Sequence, residues 1–159
     1  MKNIGKVNIT TPTDLDIVIT RIFDAPRPVV FESWTSAEHV CHWWDPSGVP
    51  LAVCEIDLRP NGAFRWVNRA PDGGEGHSFT GTYREIIAPE KLVFSVRMFP
   101  ASPEPVGTLT FVEDAKKTKL TMTIACMRKT DRDALLQMRM DDGTAQTLEN
   151  LAAYLSTIT

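Results

Sequence analysis

The chain reads as an α+β domain in which a curved antiparallel sheet of about seven strands closes around a long carboxy-terminal helix. Three observations predict this. From residue 50 to 127, bulky residues recur at every second position and are interrupted by short turn-forming groups. Residues 144–158 then place Leu148, Leu151, Leu155 and Ile158 at spacings of three and four, which is one apolar face of a helix. Between the first strand and the rest lie two short helical segments.

Residues 1–13 form a short polar stretch ending in Thr11-Pro12-Thr13, expected to be a flexible arm. Leu15 to Phe23 is rich in β-branched residues and reads as a strand. It stops at Asp24-Ala25-Pro26, where proline suits a first helical turn, and Val30, Phe31 and Trp34 follow on one helical face. Thr35-Ser36-Ala37-Glu38 has capping-box spacing, so a second short helix is expected to carry Val40, Cys41, Trp43 and Trp44.

Strand candidates follow at 51–59, 62–70, 76–87, 91–99, 106–113 and 118–127. Connections this short join consecutive antiparallel neighbours into a meander. Asn61-Gly62 offers the positive φ of a tight hairpin, and Gly81 inside a strand suggests a bulge or bend. Thr130-x-x-Asp133 could cap a short helix through Leu135, Leu136 and Met138, and Gly143 interrupts the helical pattern before the last helix. There it would permit a kink or a close approach to the sheet. Twist accumulates strand by strand, so such a sheet curls and the final helix fills its concave side.

At 159 residues the chain is one domain, spanning 14–159 beyond the arm, and large enough to bury a core without disulfides or metals. A hydrophobic share of 43% rules against disorder, and a net charge of -3 with scattered Lys and Arg rules against nucleic acid as a partner. Cys41, Cys54 and Cys126 are odd in number and unpaired in spacing, which fits reduced thiols. With no apolar signal core and no segment of membrane-spanning length, the expected location is the cytoplasm.

Chemistry is sparse. His42-Trp43-Trp44-Asp45 could rim a cavity, but large aromatics more often pack, and Asp45-Pro46 ends a helix. His39, His42, Cys41 and Cys54 lack the spacing of a closed metal site, so no metal or cofactor is expected. Glu55, Asp57 and Arg59 alternate along one strand face, where an outward surface with cross-strand partners such as Arg65 outweighs acid–base catalysis. No GxSxG elbow occurs, and Gly73-Gly74-x-Gly76 joins two strands instead of opening a helix onto phosphate. No catalytic residue is assigned. If the inward strand faces line a pocket, its ligand-binding residues are Phe64, Trp66, Asn68, Phe79, Tyr83, Phe94, Met122, Leu148 and Leu151, with Trp66, Asn68 and Tyr83 as the polar handles. The same residue types serve a solid core equally well. Apolar strand surface and the segment from Phe99-Pro100 to Pro105 offer a contact for a homodimer.

A set of motifs runs along residues 14–156: Phe23-Asp24-Ala25-Pro26, Val30-Phe31-x-x-Trp34, Trp43-Trp44-x-Pro46-x-Gly48, Glu55-x-Asp57-Leu58-Arg59-Pro60-x-Gly62, Phe79-x-Gly81-x-Tyr83-x-Glu85-Ile86, Pro89-Glu90-Lys91-Leu92-Val93-Phe94, Asp142-Gly143 and Leu148-x-x-Leu151. Together they resemble bacterial homologues of the activator of the ninety-kilodalton heat-shock chaperone's ATPase. That family lies within the helix-grip superfamily of START domains and the birch-pollen allergen. Asn61 stands where the pattern has glycine. The resemblance implies the helix-grip fold and, foremost, a non-enzymatic domain holding a small hydrophobic ligand between sheet and final helix. It also implies two alternatives, a co-chaperone acting on a chaperone ATPase and a polyketide cyclase or dehydratase.

Overall fold

The computed structural model describes residues 7–97 and 104–159. Its strands are β1 (Asn8–Thr10), β2 (Asp16–Phe23), β3 (Val53–Ile56), β4 (Ala63–Arg69), β5 (Glu75–Ile87), β6 (Lys91–Arg97), β7 (Val106–Asp114) and β8 (Lys117–Ala125). Its helices are α1 (Arg27–Thr35), α2 (Ala37–Trp43), α3 (Lys129–Gln137) and α4 (Met140–Ile158). The strands form one eight-stranded sheet in the order β1-β2-β8-β7-β6-β5-β4-β3.

From β3 to β8 the sheet is the expected meander. The first long strand, β2, pairs along its whole length with the last, from Asp16↔Ala125 to Phe23↔Thr118. The two short helices therefore carry the chain from β2 to the far edge, where β3 begins. The count is eight because residues assigned to the arm pair with β2, from Asn8↔Thr20 to Thr10↔Val18. Three residues are too few to show a period in sequence, and half-buried Ile9 is held by packing on the core.

Alternation sets the inward face. Ile17, Ile19 and Phe23 of β2, Phe64 and Trp66 of β4, and Leu120, Met122 and Ile124 of β8 are all buried, as are Leu148, Leu151, Ala152 and Leu155 of α4. One inward position is charged. The Arg21 side chain is fully buried, and its Nη1 donates to Glu149 Oε1 at 2.6 Å, tying the sheet to α4.

Several local expectations are corrected. The register shifts lie between Val67 and Arg69 and between Tyr83 and Glu85, so Gly81 is not itself at a bulge. Gly81 pairs with Phe64 across the strands, and an added Cβ would sit 2.1 Å from Ser95 O and 2.4 Å from Phe64 Cζ. Gly107 gives the same room to Phe94, with 2.7 Å to Cε2. Both glycines let a large ring lie flat over the neighbouring strand. Gly81→Ala is therefore expected to cost about 2 kcal/mol by overpacking, read as a lower urea midpoint at unchanged slope.

At the 57–62 turn only Asn61 has positive φ, at 68°, while Gly62 is needed because a Cβ would lie 2.0 Å from Asp57 O. β3 ends at Ile56, so Asp57 and Arg59 belong to this turn and pair locally at 2.8 Å. Glu55 does face Arg65, at 3.9 Å.

Neither proposed capping box forms. Thr35 still belongs to the last turn of α1 and donates to Phe31 O at 3.0 Å, while Ser36, the residue before α2, makes no side-chain cap. Thr130 lies inside α3, whose preceding residue is Arg128. Nor does Gly143 break the helix. The interruption is Arg139, at φ 61°, and α4 runs through Gly143 without a stop. Residues 98–103, which include most of the segment suggested for dimer contact, lie outside the described residues.

Candidate functional site

Between the sheet and the amino-terminal half of α4 lies a cavity of about 310 Å³. Toward the carboxy-terminal half of the helix the interior closes, and Leu151 and Leu155 are packed into the core. Solid core and cavity thus share one sheet face.

Trp44 shapes the cavity wall. It caps the carboxy-terminal end of α2 and meets Trp66 edge-on at 4.6 Å and Phe79 at 5.3 Å. The last carbonyls of a helix have no partner within it. Here the Leu51 N–H donates to Cys41 O at 3.0 Å, and α4 serves the two carbonyls that follow the helix: Thr147 Oγ1 donates to Trp44 O at 3.0 Å, and Asn150 Nδ2 to Asp45 O at 2.9 Å. Behind this wall, Trp34 packs against both Trp43 and Trp44. The Trp43 indole donates to Ser33 O at 3.0 Å, and its side chain belongs to the core. The Asp45 carboxylate accepts from the Ser47 N–H and hydroxyl, each at 2.9 Å, and so holds a turn.

Polar groups gather at the exposed end of the cavity, where His77, edge-on to Phe79 at 4.7 Å, and the α3–α4 junction residues Met138, Arg139 and Met140 form the rim. Arg139 Nε donates to Asp142 Oδ2 at 2.7 Å. The deeper wall is aromatic and aliphatic, apart from the Thr147 hydroxyl, which donates to Trp44 O, and the buried Trp34 and Trp66 indole N–H groups, which have no hydrogen-bond partner among the described residues.

Of the residues expected at a pocket, Phe64, Trp66, Phe79, Phe94, Met122 and Leu148 line this cavity. Asn68, Tyr83 and Leu151 do not. Asn68 lies at the register shift after Val67, which takes it out of the alternation that places Phe64 and Trp66. Tyr83 is buried on the far side of Phe64, 5.3 Å between rings, and Leu151 is in the closed part of the core. The polar handles therefore do not meet in the cavity. Tyr83 Oη and Asn68 Oδ1 are buried with no hydrogen-bond partner among the described residues.

For Trp44 the sequence offered both a cavity rim and packing, and packing was preferred; the structure places it in the cavity wall. The available signal was adjacency: neighbouring helical residues point about 100° apart, so Trp43 and Trp44 cannot share one role. Val96 and Ile124, two residues beyond Phe94 and Met122 on β6 and β8, also line the cavity, and Trp34, His77, Gly143, Thr144 and Thr147 carry no sequence signal for one.

The remaining candidates are occupied elsewhere. His39 Nδ1 lies 2.5 Å from the Tyr154 hydroxyl, and the His42 ring stacks on Tyr154 at 5.7 Å, so both histidines bracket a side chain of α4. Among the described residues, no group of three or more His, Cys, Asp or Glu converges as for a metal ion. Burial, followed by the nearby Cys41 and Glu55, pushes the Cys54 thiol up to about 12, and burial also raises Tyr83 and Cys126. Such thiols stay protonated at neutral pH and make poor nucleophiles. No helix among the described residues is long and apolar enough to cross a membrane.

Solved structures share this architecture. A crystal structure from Rhodobacter sphaeroides is 21% identical, covers 97% of this chain and 100% of its own, and superposes with a TM-score of 0.87. A solution structure from Arthrobacter aurescens is 20% identical over 96% of this chain and 93% of its own, with a TM-score of 0.85. A crystal structure from Nitrosomonas europaea is 22% identical over 92% and 97%, with a TM-score of 0.81. At such identities the likeness shows the fold alone. No curated protein matches the chain. The sequence pattern of the family described as activator of Hsp90 ATPase homolog 1-like protein matches residues 24–156. That match runs from the end of β2 through nearly all of α4, and the chain belongs to this family.

Proposed function

We propose that this protein binds a small hydrophobic molecule, without transforming it, in the cavity between the sheet and α4. The observation that carries this reading is the cavity itself: about 310 Å³ walled by Trp34, Trp44, Phe64, Trp66, Phe79 and Phe94. That size lies at the lower end of ligand pockets, roughly 300–1,000 Å³, and corresponds to about ten water volumes. It suits a small organic molecule and not a peptide. Transfer of apolar surface from water onto these rings drives binding at about 25 cal/mol per Å².

The ionisable groups at the cavity, His77 and Arg139, stand at its exposed rim, whereas acid–base chemistry would need them against the buried ligand. A role on a chaperone ATPase, which the family's description suggests, would use the surface and require no cavity. The cavity is what favours the ligand reading.

Native mass spectrometry of freshly purified protein tests this directly. The expected result is a retained small-molecule adduct, or, after delipidation, saturable quenching of tryptophan fluorescence by N-phenyl-1-naphthylamine with a dissociation constant on the order of 1–50 µM. Absence of both an adduct and saturable binding would sink the reading.

A further inference from the structure

Gly143 is the one glycine among the described residues that lies inside a helix. Gly48 and Gly73 have positive φ, and at Gly62, Gly81 and Gly107 an added Cβ would collide at 2.0, 2.1 and 2.7 Å. At Gly143 neither reason holds. It lies in ordinary helix, its N–H donates to Arg139 O at 3.1 Å, and, its chain neighbours and the backbone of its own helix aside, nothing among the described residues lies within 4 Å of an added Cβ. Glycine inside a helix is destabilising relative to alanine, because it loses more backbone freedom on folding. Neither backbone geometry nor packing requires it here.

What Gly143 borders is the cavity. It lines the wall on the same side of α4 as Thr144, Thr147 and Leu148. Helical Cα–Cβ bonds tilt toward the amino terminus, so a side chain at 143 would lean over Arg139 and Met140, at the rim. It would take up cavity space instead of displacing protein. We propose that Gly143 is a specificity-determining residue: its missing side chain sets the upper size of the molecule this cavity admits. The inference rests on the ligand reading above and adds a size limit to it.

The test is a series, Gly143→Ala, Gly143→Leu and Gly143→Phe, titrated with naphthalene and the bulkier N-phenyl-1-naphthylamine, with thermal unfolding of each variant. Gly143→Ala is expected to raise Tm by about 2–4 °C and to keep naphthalene affinity within about threefold. Gly143→Leu and Gly143→Phe are expected to unfold cooperatively at or above the wild-type temperature. They should weaken N-phenyl-1-naphthylamine by about tenfold or more, as lost contact area and excluded volume require.

A folded Gly143→Phe protein that binds the bulkier probe as the wild type does would overturn the inference while leaving the ligand reading intact. So would a lower Tm for Gly143→Ala, or failure of the Leu and Phe variants to fold, since either means the site is not open. A wild-type protein that binds neither probe overturns both.

Discussion

Trp43→Ala is expected to lower stability by about 3–5 kcal/mol and the thermal midpoint by on the order of 10 °C. Trp43 is 1% exposed, its ring meets Trp34 edge-on at 4.7 Å, and its indole N–H is the donor to Ser33 O. Truncation removes a large apolar surface, leaves a void between the two short helices, and strands a buried carbonyl. The hydrogen bond can be separated from the packing. Trp43→Phe keeps a ring in place but leaves Ser33 O unpaired, at about 1–3 kcal/mol. Denaturant unfolding of both variants checks the order, and a loss below about 1 kcal/mol for alanine would contradict the assignment of Trp43 to the core. Because Trp44 leans on the same cluster, loss of Trp43 should also loosen the cavity wall.

Glu149→Ala is expected to cost about 3 kcal/mol, far more than removal of a surface carboxylate, for which roughly 0–1 kcal/mol is usual. Its partner explains the difference. Arg21 occupies an inward position of β2 between Ile19 and Phe23, its guanidinium is 5.4 Å from the Phe23 ring centroid, and its side chain has no exposure, whereas that of Glu149 is 45% exposed. Removing the carboxylate takes an opposite charge at 2.6 Å away from a guanidinium that has no exposure. Removing both charges should restore much of the loss, so Arg21→Met with Glu149→Gln is expected to be more stable than Glu149→Ala. A double variant less stable than the single would show that the guanidinium is held chiefly by other groups. Measurement is again by denaturant midpoint. Salt should have a small effect, since the guanidinium is shielded from solvent.

Much of the architecture was legible in the residues. The period of two from residue 50 onward, the punctuation by Pro60-Asn61-Gly62 and Glu113 to Lys117, and the leucine spacing of α4 each report a local backbone geometry. What escaped were features that depend on a partner elsewhere in the chain. Residues 8–10 became a strand because β2 offers them an edge. The capping boxes dissolved because Thr35 belongs to the preceding helix and Thr130 lies within its own. Gly81 answered to the ring of Phe64 across the sheet and not to a bend of its own strand.

By itself the sequence determined most of the side chains that face inward, since alternation in a strand and the stripe of a helix follow from backbone geometry at each residue; Asn68, at a register shift, is an exception. Only the tertiary structure decided which of those residues touch and which leave space. Leu148 and Leu151 lie on one stripe of one helix, yet one borders a cavity and the other is sealed in the core. The gap between two surfaces depends on where distant contacts hold them. Here the bonds from Thr147 and Asn150 to the end of α2, and from Glu149 to Arg21, hold α4 in place.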